Sequence, residues 1–189
     1  MLDRGPAIQT QSGRPWYPYA PKPEDVYWPD LLSQRFQCRF GGHVRDQASW
    51  YSNLEHGLRV GKLLASWGCE SAIVRQGLGH DLHEVYPPHD QLGPVIRTDT
   101  PFAIEARKLS HAAAVCVRTT LRLPERLDPI VKKADTVMLA TERRDLMAPS
   151  FYPWDDLPEP LPERVVPRTP TIVELFFVEM WRKHGGHIP

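Results

Sequence analysis

An all-α protein is what this sequence predicts, on three observations. Between residues 48 and 147 apolar side chains recur at helical steps, and the prolines there fall at the ends of those runs. No stretch alternates apolar and polar residues as a half-buried strand would.

Each expected helix has its own signals. SWYSNLEHGLRVGKLLASWG sets Leu54, Leu58, Leu64 and Trp67 along one side and stops at Gly68. SAIVRQGLGHDLHEVY reads as one helix over 71–86, ended by Pro87 and Pro88. PFAIEARKLSHAAAVCVRTTLRL opens with Pro101 at a first helical position and runs to about Leu121. DPIVKKADTVMLATERRDLM starts from an Asp128-Pro129 cap and continues to Met147, with Ile130, Ala134, Val137, Met138 and Thr141 on one face. TIVELFFVEMWRKHGG closes the chain, with Thr171 and Glu174 at capping-box spacing and Gly185 as the stop.

Two proline-rich stretches frame these helices. Residues 1–30 mix six prolines with Trp16, Tyr17, Tyr19, Tyr27 and Trp28. That composition forbids a long helix and is too aromatic for an ordinary disordered tail. It reads as an extended arm lying across the domain or a neighbouring subunit, or as a mobile leader. The expected division is an arm over 1–38 and one globular domain over 39–189. Residues 149–170 read as a long ordered loop or lid.

The chain has 189 residues, enough for a substantial core, and a formal net charge of zero. No general attraction to a nucleic acid polymer or to a membrane surface is therefore expected, and an anionic ligand needs a local arrangement of groups. The three cysteines, Cys38, Cys69 and Cys116, form no CxxC pair. With no apolar leader and no apolar run long enough to span a bilayer, a cytoplasmic protein is expected. Self-association into a homo-oligomer, a dimer or a hexamer, is the expected protein contact, through the aromatic arm or the helix bearing Phe176, Phe177, Met180 and Trp181.

The chemistry concentrates in GLGHDLHEVY, residues 77–86. Imidazole and carboxylate suit Zn, Mn, Fe, Co or Ni. On a helix His80 and Asp81 diverge by about 100°, so they share an ion only if it sits in the wedge between them and other helices complete its shell. His56 on the preceding helix and Asp135 on a later one are the candidates. Glu84 follows Asp81 by one turn and offers a base for a water. Singly each residue has a plainer reading, since a buried histidine is more often a hydrogen-bonded core group. The ordered set is stronger: Glu55-His56, His80-Asp81 24 residues on, and Ala134-Asp135, whose aspartate lies 54 residues after Asp81.

These residues resemble the HD-domain metal-dependent phosphohydrolases, and within them the branch of bacterial 5′-deoxynucleotidases and phage deoxynucleoside triphosphohydrolases, including dATP-specific ones. The pieces that carry the resemblance are Arg39-Phe40, Tyr51 to His56, Gly79 to Glu84, Asp90 with Pro94, and Val131 to Asp135. The resemblance implies an HD-domain helical bundle in which His56, His80, Asp81 and Asp135 hold one divalent metal ion (Mn, Co, Zn, Ni or Mg). It implies that Glu84, with Asp81, is catalytic. It further implies a deoxynucleotide substrate touched by Arg39, Phe40, Asp90, Pro94 and Lys132, with Arg97 a second cation for a polyphosphate tail. Phe40 stands where the family has Trp, and Asp90 lies one residue further along than its counterpart.

The implied reaction is hydrolysis between the α-phosphorus and O5′. The RFGGH and TERRDLM segments resemble the phage enzymes and point to a triphosphate, dATP. A 5′-deoxynucleotidase acting on monophosphates is the alternative, and a regulatory nucleotide-binding module on the same fold is the non-enzymatic one. HDLHEV departs from the HDxxED of guanosine-tetraphosphate hydrolases. Of the other histidines, His83 is expected to support the site or lie at the surface. His43 and His89 are expected near substrate, His111 in packing, and His184 and His187 in solvent.

Overall fold

The N-terminal residues are built into the core. The structure, a computed structural model, describes residues 4–44, 50–91, 93–150, 154 and 157–189. Strands β1 (Ile8–Gln9) and β2 (Pro15–Trp16) pair antiparallel, with Ile8 opposite Trp16. This small hairpin is a departure from the strand-free expectation. It seats Trp16, 0% exposed, flat against Tyr86 with ring centroids 3.7 Å apart. A 3-10 turn at Pro23–Asp25 and the short helix α1 (Trp28–Leu32) follow, and Trp28, Leu31 and Leu32 are buried. Asp30, also buried, accepts bonds from the Ser12 amide and hydroxyl, at 2.7 and 2.8 Å. The proline-spaced aromatics thus act as a cover, which is why so apolar a leader is ordered.

Five further helices follow in chain order: α2 (Asn53–Ser66), α3 (Ser71–Gly79), the single turn α4 (Gly93–Ile96), α5 (Pro101–Thr120) and α6 (Pro129–Leu146). The last helix is α7 (Pro170–Lys183). With only a two-stranded sheet beside them, the described residues form an all-α fold. No helix among them is long and apolar enough to cross a membrane.

Helix α2 is the centre, packed against α3, α6 and α7. Its start is fixed by Ser52, whose Oγ accepts the Glu55 amide at 3.1 Å. Leu54, Leu58 and Leu64 are buried as the spacing predicts, but Trp67 is not. It lies past the last turn, at the surface, under the Lys133 ammonium. Gly57 sets the distance to α3, because a Cβ there would come within 2.9 Å of the Leu78 carbonyl oxygen. Substituting Ser52 by alanine is expected to cost roughly 1 kcal/mol. In thermal denaturation that appears as a fall in Tm of about 2–4 °C.

The remaining caps are partly as expected. Thr100 caps α5 through the Ala103 amide, and Asp128 caps α6 through the Ile130 amide. For α7 the capping box of Thr171 and Glu174 does not form. The helix begins one residue earlier, with Pro170 first, and Glu174 pairs instead with Arg35 at 3.1 Å. Phe177 and Trp181 are wholly buried against Trp28 rather than presented to another subunit. His184 is also turned inward, with Nδ1 3.0 Å from the Ser71 hydroxyl. Of the stretch 149–170, residues 151–153, 155 and 156 lie outside the described set; 157–169 carry no helix or strand. This loop is tied down at its end, where the Arg168 amide bonds the buried Glu55 carboxylate at 3.0 Å. Burial pushes the Glu55 carboxyl up, against the pull of Arg168 and Arg59.

Candidate metal centre

The helix expected over 71–86 ends early, and this break builds the site. α3 stops at Gly79, Asp81 sits at φ −111°, ψ 7°, and a 3-10 turn runs over Leu82–Val85. Two side chains meet carbonyls that a continuing helix would use. His80 Nδ1 donates to the Gly77 oxygen at 2.8 Å, and Gln34 Nε2 donates to the Asp81 oxygen at 2.7 Å. His80 and Asp81 are thereby relieved of the 100° divergence of an ideal helix.

His56 from α2, His80 from the end of α3 and Asp135 from α6 converge, with ligand atoms all within 4.8 Å of one another. His56 Nε2 is 3.3 Å from His80 Nε2 and 3.1 Å from Asp135 Oδ1, and the His80–Asp135 distance is 3.8 Å. Donors bound to one ion at about 2.1 Å stand roughly 3.0–3.4 Å apart, so this group can hold a metal ion. Asp81 lies just outside the tight trio: Oδ2 is 3.0 Å from His80 Nε2 and 3.9 Å from His56 Nε2.

Both imidazoles are held in the tautomer that leaves Nε2 for a cation. His80 is fixed by Gly77. His56 Nδ1 donates to Glu142 Oε1 at 2.6 Å, the carboxylate–histidine pairing typical of metal ligands. Glu142 is wholly buried and also accepts Tyr51 Oη at 2.6 Å and Arg39 Nε at 2.9 Å. The sequence reading passed over it. Glu142 follows Asp135 by seven residues, two turns of the same helix, and that spacing was the available signal.

The electrostatics fit a cation-seeking site. Burial opposes ionisation of Glu142, but His56 and Arg39 outweigh it and bring its pKa down to about 2. Asp81 and Asp135 are likewise held well below the carboxylate range: burial works against this, and His80 and His56 overcome it. Burial disfavours charge on His80 too, yet the Asp81 and Asp135 carboxylates raise its pKa well above the usual value. The carboxylates around the two imidazoles thus favour a positive charge there, which a cation would supply.

Glu84 behaves oppositely. Burial, then the charges of Asp81 and Asp90, push its carboxyl well above the ordinary range. Its Oε2 is 3.4 Å from Asn53 Nδ2, and the Asn53 Oδ1 is buried without a hydrogen-bond partner among the described residues. A carboxyl raised in this way holds a proton more readily than an exposed glutamate, as a group that exchanges protons with a substrate or water must.

Of the substrate candidates, Arg39 is buried, with Nη1 4.0 Å from Asp81 Oδ2. Phe40 follows in a left-handed turn (φ 57°), continued by Gly41 and Gly42, and only 6% of it is exposed. The Phe40 amide bonds the Asp90 carboxylate, whose pKa burial raises against the pull of Arg39. Lys132 Nζ lies 2.6 Å from Asp135 Oδ2 on a side chain that is 76% exposed. Pro94 and Arg97 are exposed on and after α4, and the Arg97 guanidinium makes no hydrogen bond or ion pair with the described residues. His83 is within 3.2 Å of the Ser110 hydroxyl, and burial lowers its pKa to about 4. His89 is exposed, with Nδ1 3.2 Å from Gln37 Nε2. His111 is exposed rather than packed.

No family model matches the chain. Over 176 residues it is 30% identical to the Escherichia coli (strain K12) protein that bears the name "Uncharacterized protein YfdR", a match taking in 91% of this chain and 92% of that one. An identity of this level, sustained over nearly the whole of both sequences, means that the chain belongs to the YfdR family.

Proposed function

We propose that this protein is a metal-dependent phosphohydrolase of deoxynucleotides, of the HD-domain kind, that cleaves the bond between the α-phosphorus and O5′. The observation that carries the reading is the convergence of His56, His80 and Asp135 from three helices, with Asp81 at 3.0 Å from one of them and Glu84 beside them. A divalent cation held there would polarise a phosphate oxygen and lower the pKa of a nearby water.

The chain's own residues supply the rest. Glu84 takes the proton of the attacking water, whose oxygen bonds to the α-phosphorus as the bond to O5′ breaks. O5′ leaves as a hydroxyl with the proton that Glu84 took up, which regenerates the carboxylate. Arg39, oriented by Glu142, offsets charge on the phosphoryl oxygens, and Lys132 swings on its exposed stem from Asp135 to the phosphate. A triphosphate gives deoxynucleoside and triphosphate; a monophosphate gives deoxynucleoside and phosphate. The reading favours dATP, with a 5′-deoxynucleotidase as the alternative.

The test is a screen of deoxynucleoside triphosphates, monophosphates and ribonucleotides with Mn²⁺, Co²⁺, Zn²⁺, Ni²⁺ and Mg²⁺, on wild type, Asp81→Ala and Glu84→Gln. Glu84→Gln is expected to lower kcat by roughly 10²–10⁴-fold while bound metal per chain is unchanged. Wild-type turnover in Glu84→Gln would remove that residue from the mechanism. Bound nucleotide without hydrolysis under every metal would leave a regulatory binding module.

A further inference from the structure

Beside Glu84, on the side of α5, lies a cleft of about 270 Å³. Arg107, His111 and Arg118 line one wall, spaced by four and seven residues so that they form a single stripe along α5. His83, Glu84 and His89 line the other, and Glu84 is the one acid in the lining. Glu84 therefore faces both the metal centre and this cleft.

The cleft carries more positive charge than its partners answer. Arg118 is half-buried, and its Nε is shielded from solvent with no hydrogen-bond partner among the described residues. Its Nη1 reaches only the Glu125 carbonyl, at 3.0 Å. With no carboxylate paired to it among the described residues, the Arg118 guanidinium lining the cleft is suited to an anionic oxygen of a ligand. Arg107 is held at the mouth by the Ile96 and Thr98 carbonyls, with Asp99 at 3.8 Å. A nucleobase would leave the Arg118 guanidinium without a counter-charge, whereas a phosphate oxygen supplies one.

The geometry points to this cleft as the seat of the phosphate groups beyond the one at the His56–His80–Asp135 centre, and so to a polyphosphate rather than a monophosphate substrate. This rests on the phosphohydrolase reading. It moves the tail from the exposed Arg97 to the α5 stripe.

The test separates the two. Inorganic tripolyphosphate and orthophosphate are titrated calorimetrically into the full chain, as purified and after removal of metal by a chelator. Wild type, Arg118→Gln and the surface variant Arg107→Gln are compared, with circular dichroism to check folding. Tripolyphosphate is expected to bind the metal-free chain, and Arg118→Gln to weaken it roughly ten- to a hundredfold. The ratio of kcat/KM for dATP to that for dAMP is expected to fall by a similar factor. Unchanged tripolyphosphate affinity in both folded variants would overturn the assignment. Arg118-dependent binding of tripolyphosphate in a protein that hydrolyses neither nucleotide would uphold the cleft and reject the phosphohydrolase.

Discussion

If the trio holds the proposed ion, Asp135→Ala is expected to abolish metal binding and, with it, the proposed metal-dependent turnover. Asp135 is the carboxylate of the tight trio, 3.1 Å from His56 Nε2, and it brings the third helix to the centre. Without it two neutral imidazoles remain, with Asp81 standing nearer to His80 than to His56. Removing a partner one step behind a ligand weakens metal binding by about 10–100-fold, so removing the ligand itself should exceed that range. Metal content after dialysis, and titration with Mn²⁺ or Zn²⁺, read the effect directly. The side chain is only 14% exposed and pairs with His56, so circular dichroism and melting of the metal-free variant accompany the measurement to separate loss of the ligand from loss of folding. Retention of one metal per chain by the variant would show that the ion is held elsewhere.

Glu142→Ala is expected to have the largest effect on stability. The substitution leaves the buried Arg39 guanidinium without its carboxylate, and Tyr51 and His56 without an acceptor. Breaking a buried charge pair on one side costs about 3–5 kcal/mol. For a chain of this size that is a fall in Tm of roughly 6–20 °C. Metal affinity should fall as well, by about 10–100-fold, because nothing then fixes the His56 tautomer. Glu142→Gln keeps the shape and one acceptor, and should lie between the two. An alanine variant that melts and binds metal like wild type would refute the role given to this residue.

How much of this was legible in the sequence differs from element to element. The starts of α5 and α6 were readable because a proline at the first position and a polar cap are local signals, acting within one turn. The end of α3 was not. Its periodicity runs on to Tyr86, and what stops the helix is partly Gln34, 47 positions away in sequence. Trp67 and Trp181 look alike in a hydrophobic pattern, yet Trp67 lies at the surface under the Lys133 ammonium while Trp181 is buried against Trp28 from the arm and Phe177. The candidate ligands stood out because His80 and Asp81 are adjacent, with a further histidine and aspartate on other helical runs. Glu142 did not, since a glutamate between a threonine and two arginines looks like solvated surface.

Gly57 places the α3 main chain against α2 with no side chain between them, immediately after His56 in sequence and immediately before the turn that carries His80. The approach of the two segments that carry the imidazoles is thereby set at the main chain, while Glu142 and the Gly77 carbonyl orient the rings. The surrounding walls, at 39–42, 82–91 and along α5, sit on separate pieces of the chain. A substitution in those walls can therefore reshape the space around the trio without moving α2 and α3 relative to each other at Gly57.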